Sequence, residues 1–265
     1  LHILGLRIFQ GQDAKRGEFS YAVSLSLKSS YPEDTSDGSF TSFCTGSIIT
    51  PIWVLTAGHC IATVQIFMHP PNYPSPYTQI RQPVIQYVSP LDNYEWISRN
   101  IIMAILHPNF KLTKGVVVND IGLVKVQNTT VTAYGKISSV HFGSIYGHKV
   151  YALGLGKMKS ETGQIDDAMK LNKPLQVYDA IAVKCGRIKH IVGSSSFCLA
   201  WNCERPATSC PGDSGGPIIH PSGIVAVTTG GDNNYCNTTE KSLIATIVTP
   251  VSPYIDWIAR SIRGT

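Results

Sequence analysis

Long apolar runs, blocks of like charge, zinc-type cysteine pairs and internal repeats are all missing from this 265-residue sequence, and each absence removes a class of protein. Without a run of about 18 apolar residues there is no expected membrane span. Charged residues make up only 15%, and the 22 Lys and Arg are scattered rather than interleaved with aromatics. A net charge of +5 spread in that way gives nucleic-acid binding little support. No C-x-x-C pair is suited to zinc, so no metal and no cofactor is expected. The lack of a 20–50 residue period argues against solenoids and propellers. The chain opens on Leu1 rather than Met, and Leu1 to Leu6 is too short for a signal peptide, so an upstream leader is expected.

What is present points to a secreted, folded protein. Hydrophobic residues reach 43%, enough for a sizeable core, and seven cysteines suit an oxidising, extracellular compartment. Two sequons, at Asn128 and Asn237, would carry glycans only in such a compartment.

Short β-type runs between turn signals dominate. They are Tyr21–Leu27, Gly46–Leu55, Gln82–Val88, Ile101–Leu106 and Ile121–Val126, then His148–Leu155, Leu175–Tyr178, Pro217–His220, Ile224–Thr229 and Ser242–Val248. One helix is predicted, at about 252–263, with Ser252 as cap, Pro253 opening it, and Ile255, Ile258 and Ile262 on one face. The simplest architecture is two β units, at about 21–127 and 140–250, joined by the polar stretch Asn128–Ser139. Four prolines at Pro70, Pro71, Pro74 and Pro76 exclude a central strand there.

Chemistry concentrates in three stretches. Cys210-Pro211-Gly212-Asp213-Ser214-Gly215-Gly216-Pro217 packs a serine and a carboxylate into a glycine turn. There a hydroxyl could attack a carbonyl while the Gly212 and Ser214 N–H groups stabilise the oxyanion. Alone, such a turn is more often structural. Thr56-Ala57-Gly58-His59-Cys60 offers an imidazole, the side chain matched to proton transfer near neutral pH. Asn119-Asp120-Ile121-Gly122-Leu123 sets a carboxylate among apolar residues, where it needs a partner.

Together the three motifs, in His, Asp, Ser order, resemble those of the chymotrypsin-fold (trypsin-like) serine proteases, secreted chymotrypsin- and elastase-like members in particular, from Arg7 to the final helix. The resemblance implies an all-β fold of two packed six-stranded antiparallel β-barrels with a C-terminal α-helix, and an active site between the barrels. It implies a serine endopeptidase in which His59 is the base, Asp120 orients it, Ser214 is the nucleophile, and Gly212 and Ser214 form the oxyanion hole. It also implies the disulfides Cys44–Cys60, Cys185–Cys198 and Cys210–Cys236, leaving Cys203 over. Residues 1–7 would be the remnant of an activation peptide and 8–265 the protease domain. A trypsin-like activator would cut after Arg7, and the new Ile8 terminus would pair with Asp213.

Departures from the family pattern refine the expectation. Thr208 stands where trypsin-like members carry a pocket aspartate, and Thr228 and Leu243 take wall positions often held by glycine. The pocket is therefore expected to be neutral and shallow, favouring small or medium apolar residues. Ala226-Val227-Thr228 replaces a segment whose hydroxyl usually supports the buried aspartate. Met68–Asp92 is expected to form a rim loop limiting access. Partners implied are protein or peptide substrates, an activating protease and protein protease inhibitors, with the chain a monomer. Two rival classes remain: an inactive homologue acting as a regulatory binding module, and an α/β-hydrolase esterase. The latter needs the order Ser, acid, His and βα alternation, neither of which occurs.

Overall fold

The computed structural model describes residues 8, 11–30, 39–68, 80–89, 95–113, 116–156, 174–186, 196–201, 207–231 and 246–264. In chain order the strands of the first half are β1 (Gln12–Asp13), β2 (Ala22–Ser30), β3 (Ser39–Thr50), β4 (Trp53–Thr56), β5 (Ile80–Val88), β6 (Trp96–Leu106), β7 (Lys111–Thr113), β8 (Val116–Val118) and β9 (Gly122–Val126), with helix α1 (Gly58–Met68) after β4. The second half adds β10 (Lys149–Gly154), β11 (Gln176–Val183), β12 (Phe197–Trp201), β13 (Pro217–His220), β14 (Gly223–Gly230), β15 (Thr246–Pro250) and helix α2 (Ile255–Arg263).

Strands β2-β3-β4-β9-β6-β5 close into one barrel. Strands β11-β10-β13-β14-β15-β12 form the second, closed by the β11–β12 pairing, with β1 added on β11. Closure removes the sheet edges that would otherwise template aggregation. The pairings between these strands are antiparallel, with one isolated parallel bridge from Ile137 to Ile224, and the alternation in β11, where every second residue is buried, shows why the sequence reads as strand.

Each barrel has its own apolar filling. Val23, Leu25, Ile48, Val54, Ile85 and Val124 fill the first, and Val150, Tyr178, Phe197, Leu199, Ile218 and Val248 the second. A third cluster joins the two, with Trp53, Leu55, Ile121 and Leu123 meeting Ile224, Val227, Val251, Tyr254 and Ile258. Side chains as large as these contribute about 1.5–3 kcal/mol each on full burial, so the cluster between the barrels holds them together.

The chymotrypsin fold expected from the resemblance is therefore present, and several local expectations are corrected. Helix α1 was not expected, because His59-Cys60-Ile61-Ala62-Thr63-Val64 is rich in β-branched residues. Burial of Cys60, Ile61 and Val64 against the first barrel overrides that local preference. Strand β12 was also missed. Ser252 caps no helix; its hydroxyl accepts the Phe142 N–H at 3.2 Å, and α2 begins without a side-chain cap. On α2, Trp257 joins Ile258 and Ile262 against the inter-barrel cluster. No single rim loop runs from Met68 to Asp92, because Met68 ends α1 and Ile80–Val88 is a barrel strand between β2 and β6. The proline segment 69–79 and residues 90–92 lie outside the described residues.

Candidate active site

The three sequence motifs converge on one cleft between the barrels. His59 is the second residue of α1, directly after β4, and Asp120 lies in the turn from β8 to β9. Asn119 adopts a left-handed φ of 54°, and both ends of its side chain are anchored. Its Nδ2 donates to the Asn109 carbonyl at 2.7 Å, and its Oδ1 accepts the Tyr254 hydroxyl at 2.9 Å. That turn buries Asp120 to 1% exposure beside His59. Asp120 Oδ1 accepts the His59 backbone N–H at 2.8 Å, and Oδ2 lies 2.9 Å from His59 Nδ1. The contact fixes the ring plane and its tautomer, with Nδ1–H toward the acid and Nε2 left as base. Among the described residues no hydroxyl reaches the Asp120 carboxylate, in keeping with Ala226 where the family places a hydroxyl.

Ser214 sits in a turn that leaves no room for larger residues. Gly215 has φ +80°, and a Cβ there would lie 2.0 Å from Thr56 Oγ1 and 2.4 Å from the Thr45 carbonyl. The Asp213 carboxylate is fully buried and accepts the N–H groups of Gly156 and Cys210, each at 2.8 Å. Gly154 and Gly156 admit it, since a Cβ on either would meet Asp213 Oδ1 at 2.1 and 2.5 Å. Within the turn, the N–H groups of Asp213, Gly215 and Gly216 donate to Cys210, Thr228 and Asp213 carbonyls. Those of Gly212 and Ser214 donate to nothing among the described residues.

Thr45, which sequence reasoning passed over, connects the barrels at this point. Its N–H donates to the Ser214 carbonyl at 2.8 Å and its hydroxyl to the Gly212 carbonyl at 2.9 Å, while the Leu155 N–H donates to that hydroxyl at 3.1 Å. Only its place beside Cys44 hinted at a role. The cleft itself, about 380 Å³, is lined by His59 and Ser214 with Phe43, Thr63, Ser209–Gly212 and Thr228–Gly231. A larger cavity of about 730 Å³ beside Lys15, Trp96 and Leu175 is lined by none of His59, Asp120 and Ser214.

The expected pocket residues are placed as follows. Thr208 is buried and precedes Ser209 in the chain; Ser209 lines the cleft and Thr208 does not. Thr228 lines the cleft, and its backbone also braces the turn, donating to the Gly216 carbonyl and accepting the Gly215 N–H. The chain continues along the cleft through Thr229, Gly230 and Gly231, so Thr228 is not the whole wall. Leu243 lies outside the described residues. Behind Ser209 a buried hydroxyl cluster was not foreseen: Thr246 Oγ1 lies 2.5 Å from the Tyr178 hydroxyl and 3.0 Å from Ser209 Oγ. No sequence signal joins positions so far apart.

Burial pushes the Tyr178 phenol up to about 12, against the lowering effect of these hydrogen bonds. In the unfolded chain a phenol loses its proton near 10, so between roughly pH 10 and 12 ionisation favours unfolding, and the stability held below pH 10 is lost as pH rises. Melting temperatures from pH 9 to 11.5 should therefore fall more steeply in the native chain than in Tyr178→Phe, the difference reaching about 2–3 kcal/mol at most. Parallel curves would remove this role from Tyr178.

Cys44 and Cys60 form a disulfide, as do Cys185 and Cys198. Cys44, His59 and Cys60 lie close enough to suggest a metal cluster, but the bonded sulfurs offer no thiolate. Cys210 is disulfide-bonded too. Its expected partner Cys236, the second sequon at Asn237, the unassigned Cys203 and the activation residue Arg7 lie outside the described residues. Ile8 is fully buried in the second-barrel core, and Asn128 is exposed.

Comparison with known proteins agrees with this geometry. The chain is 27% identical to human (Homo sapiens) chymotrypsin-like elastase family member 3B over 270 aligned residues, covering 97% of this chain and 90% of that protein. It is 27% identical to bovine (Bos taurus) proproteinase E, covering 97% and 96%. The trypsin family model matches residues 8–258, and a chain matched over nearly its whole length, with the fold that goes with it, belongs to the trypsin family of serine proteases.

Proposed function

We propose that the protein is a secreted serine endopeptidase, made as a zymogen, that cleaves peptide bonds through an acyl-enzyme on Ser214. His59 takes the Ser214 proton and later returns it to the leaving amine, and Asp120 holds the imidazole and balances its charge. The N–H groups of Gly212 and Ser214 receive the oxyanion, each donor worth roughly 3–4 kcal/mol when removed. The observation that carries this reading is the His59–Asp120 pair at 2.9 Å facing the same cleft as Ser214. Two disulfides support an oxidising compartment, and an exposed Asn128 is open to a glycan. Its partners on this reading are protein or peptide substrates, a trypsin-like activator and protein protease inhibitors, with the protease itself monomeric. A fluorophosphonate probe should label the activated chain and spare Ser214→Ala. Absence of labelling after cleavage at Arg7 would favour the regulatory homologue instead.

Specificity follows from the cleft lining, where Ser209, with Thr208 beside it in the chain and Thr246 hydrogen-bonded to it, presents a hydroxyl, and no carboxylate lines the cleft among the described residues. A Lys or Arg side chain there would be desolvated without a counter-charge, which is strongly unfavourable. Small or medium apolar P1 residues, as the name of the elastase relatives suggests, should be cleaved on the order of 10²-fold faster than Lys or Arg. A P1-varied peptide library in which a basic residue ranks first would overturn this assignment while leaving the triad untouched.

A further inference from the structure

On the second barrel, at the far end of the strand that follows the serine motif, two histidines meet. His148 directly precedes β10, and His220 ends β13 at the hairpin into β14. His148 Nδ1 and His220 Nε2 lie 3.2 Å apart, with the rings 5.4 Å between centroids. Both backbones are held. The His148 N–H donates to the Ile145 carbonyl, its carbonyl accepts the Ala182 N–H, and β10 pairs with β13 two residues on.

We propose that His148 and His220 form a binding site for one divalent transition-metal ion of the zinc class. Two imidazole nitrogens at about 2.0–2.1 Å from a tetrahedral ion stand about 3.3 Å apart, which the observed 3.2 Å matches. A rotation of the exposed His148 ring turns the two lone pairs from each other toward a common point. The outer partners also fit. His220 Nδ1 lies 2.9 Å from the Ser222 hydroxyl and 3.3 Å from the Ser222 N–H. Without metal, Nδ1 accepts from Ser222 and Nε2–H points to His148. With metal, Nε2 gives its lone pair to the ion and the ring proton moves to Nδ1, which then donates to Ser222 Oγ and gives up the bond it accepted from the Ser222 N–H. Ser222 in turn lies 2.7 Å from Ser138 Oγ, so the chain of hydroxyls can reverse with it. An outer hydrogen bond of this kind orients and strengthens a histidine ligand.

The surroundings do not oppose a cation. Lys149, the nearest positive side chain in sequence, is paired with Asp179 at 3.1 Å. Among the described residues no third ligand joins, so water fills the remaining positions. The ion would tie the start of β10 to the β13–β14 hairpin, joining positions 72 residues apart in the chain.

Zinc chloride titrated calorimetrically into the intact chain, in a non-coordinating buffer near pH 7.5, tests the site. One equivalent should bind in the sub-millimolar range and raise Tm with zinc concentration. His148→Gln should lose at least tenfold in affinity together with the Tm response, and Ser222→Ala severalfold. His148 is exposed, so its replacement leaves the fold intact, and metal-free melting of the variant checks that. His220→Gln should behave like His148→Gln. Zinc binding of equal strength in the native chain and His148→Gln, or no binding at sub-millimolar zinc in either, would overturn the proposal. Neither outcome bears on Ser214.

Discussion

Replacing Ser214 with alanine should lower kcat for a peptide anilide by on the order of 10⁴-fold or more, equivalent to about 5.5 kcal/mol of transition-state stabilisation. The expectation rests on the turn that presents the hydroxyl. Gly215 and Gly216 admit no Cβ, the N–H groups at Asp213, Gly215 and Gly216 are already committed, and those of Gly212 and Ser214 face no protein acceptor among the described residues. His59→Ala should lose a similar factor, and the double variant should be no slower than either single one, because base and nucleophile act as a unit. Residual activity would come from the oxyanion donors and substrate binding alone. The measurement is kcat and KM on the cleaved, active-site-titrated chain. A Ser214→Ala chain keeping more than about 1% of the rate would contradict the assignment.

The second large effect concerns the start of the folded domain. The uncut chain should be at least about 10²-fold less active than the chain cleaved between Arg7 and Ile8. Ile8 is fully buried in the core of the second barrel, and Asp213 is fully buried immediately before the nucleophile. Cleavage would create an α-ammonium on Ile8, and burying that charge is tolerable only against a carboxylate. Breaking such a buried pair by removing one partner costs about 3–5 kcal/mol, or roughly 10²- to 10⁴-fold in the population of the ordered state. Asp213→Asn should accordingly depress the cleaved enzyme by that factor while leaving the uncut chain nearly unchanged. N-terminal sequencing run beside the activity assay decides the matter. Full activity with Leu1 still attached, or an undiminished Asp213→Asn enzyme, would exclude the switch.

How far these features could be read in advance depended on whether the determining interactions are local. Gly212–Pro217 is legible because the turn's own backbone demands glycine, and Asn119-Asp120 because a short polar pair interrupts an apolar run. Strands such as β11 and β13 announce themselves by alternation or by turn residues at their ends. Helix α1 does not: its residues prefer strand, and only packing of Ile61 and Val64 on the barrel decides otherwise. Thr45 and the Tyr178–Thr246–Ser209 hydroxyls were invisible for the opposite reason. Their residue types are ordinary, and their partners lie 31 to 167 positions away. The extent of the cleft wall beyond Thr228 escaped because a register shift between Thr228 and Gly230 lets the wall continue past the point where regular pairing would place its end.

The hydrogen bond from Tyr254 to Asn119 has a consequence for the order of events during synthesis. Tyr254 and α2 follow both barrels in the chain, yet they pack with Trp53 and Leu123 of the first barrel and steady the turn that carries Asp120. His107, in the same barrel, meets both Tyr254 and Trp257 edge-on, with ring centroids 5.1 and 5.0 Å apart. Because the amino-terminal part of a chain emerges from the ribosome first, the first barrel can close its sheet early but must wait with one face uncovered. His59 and Asp120 are steadied only after the segment carrying Tyr254 has been made, so a growing chain carries all three motifs before it has the geometry that brings them together.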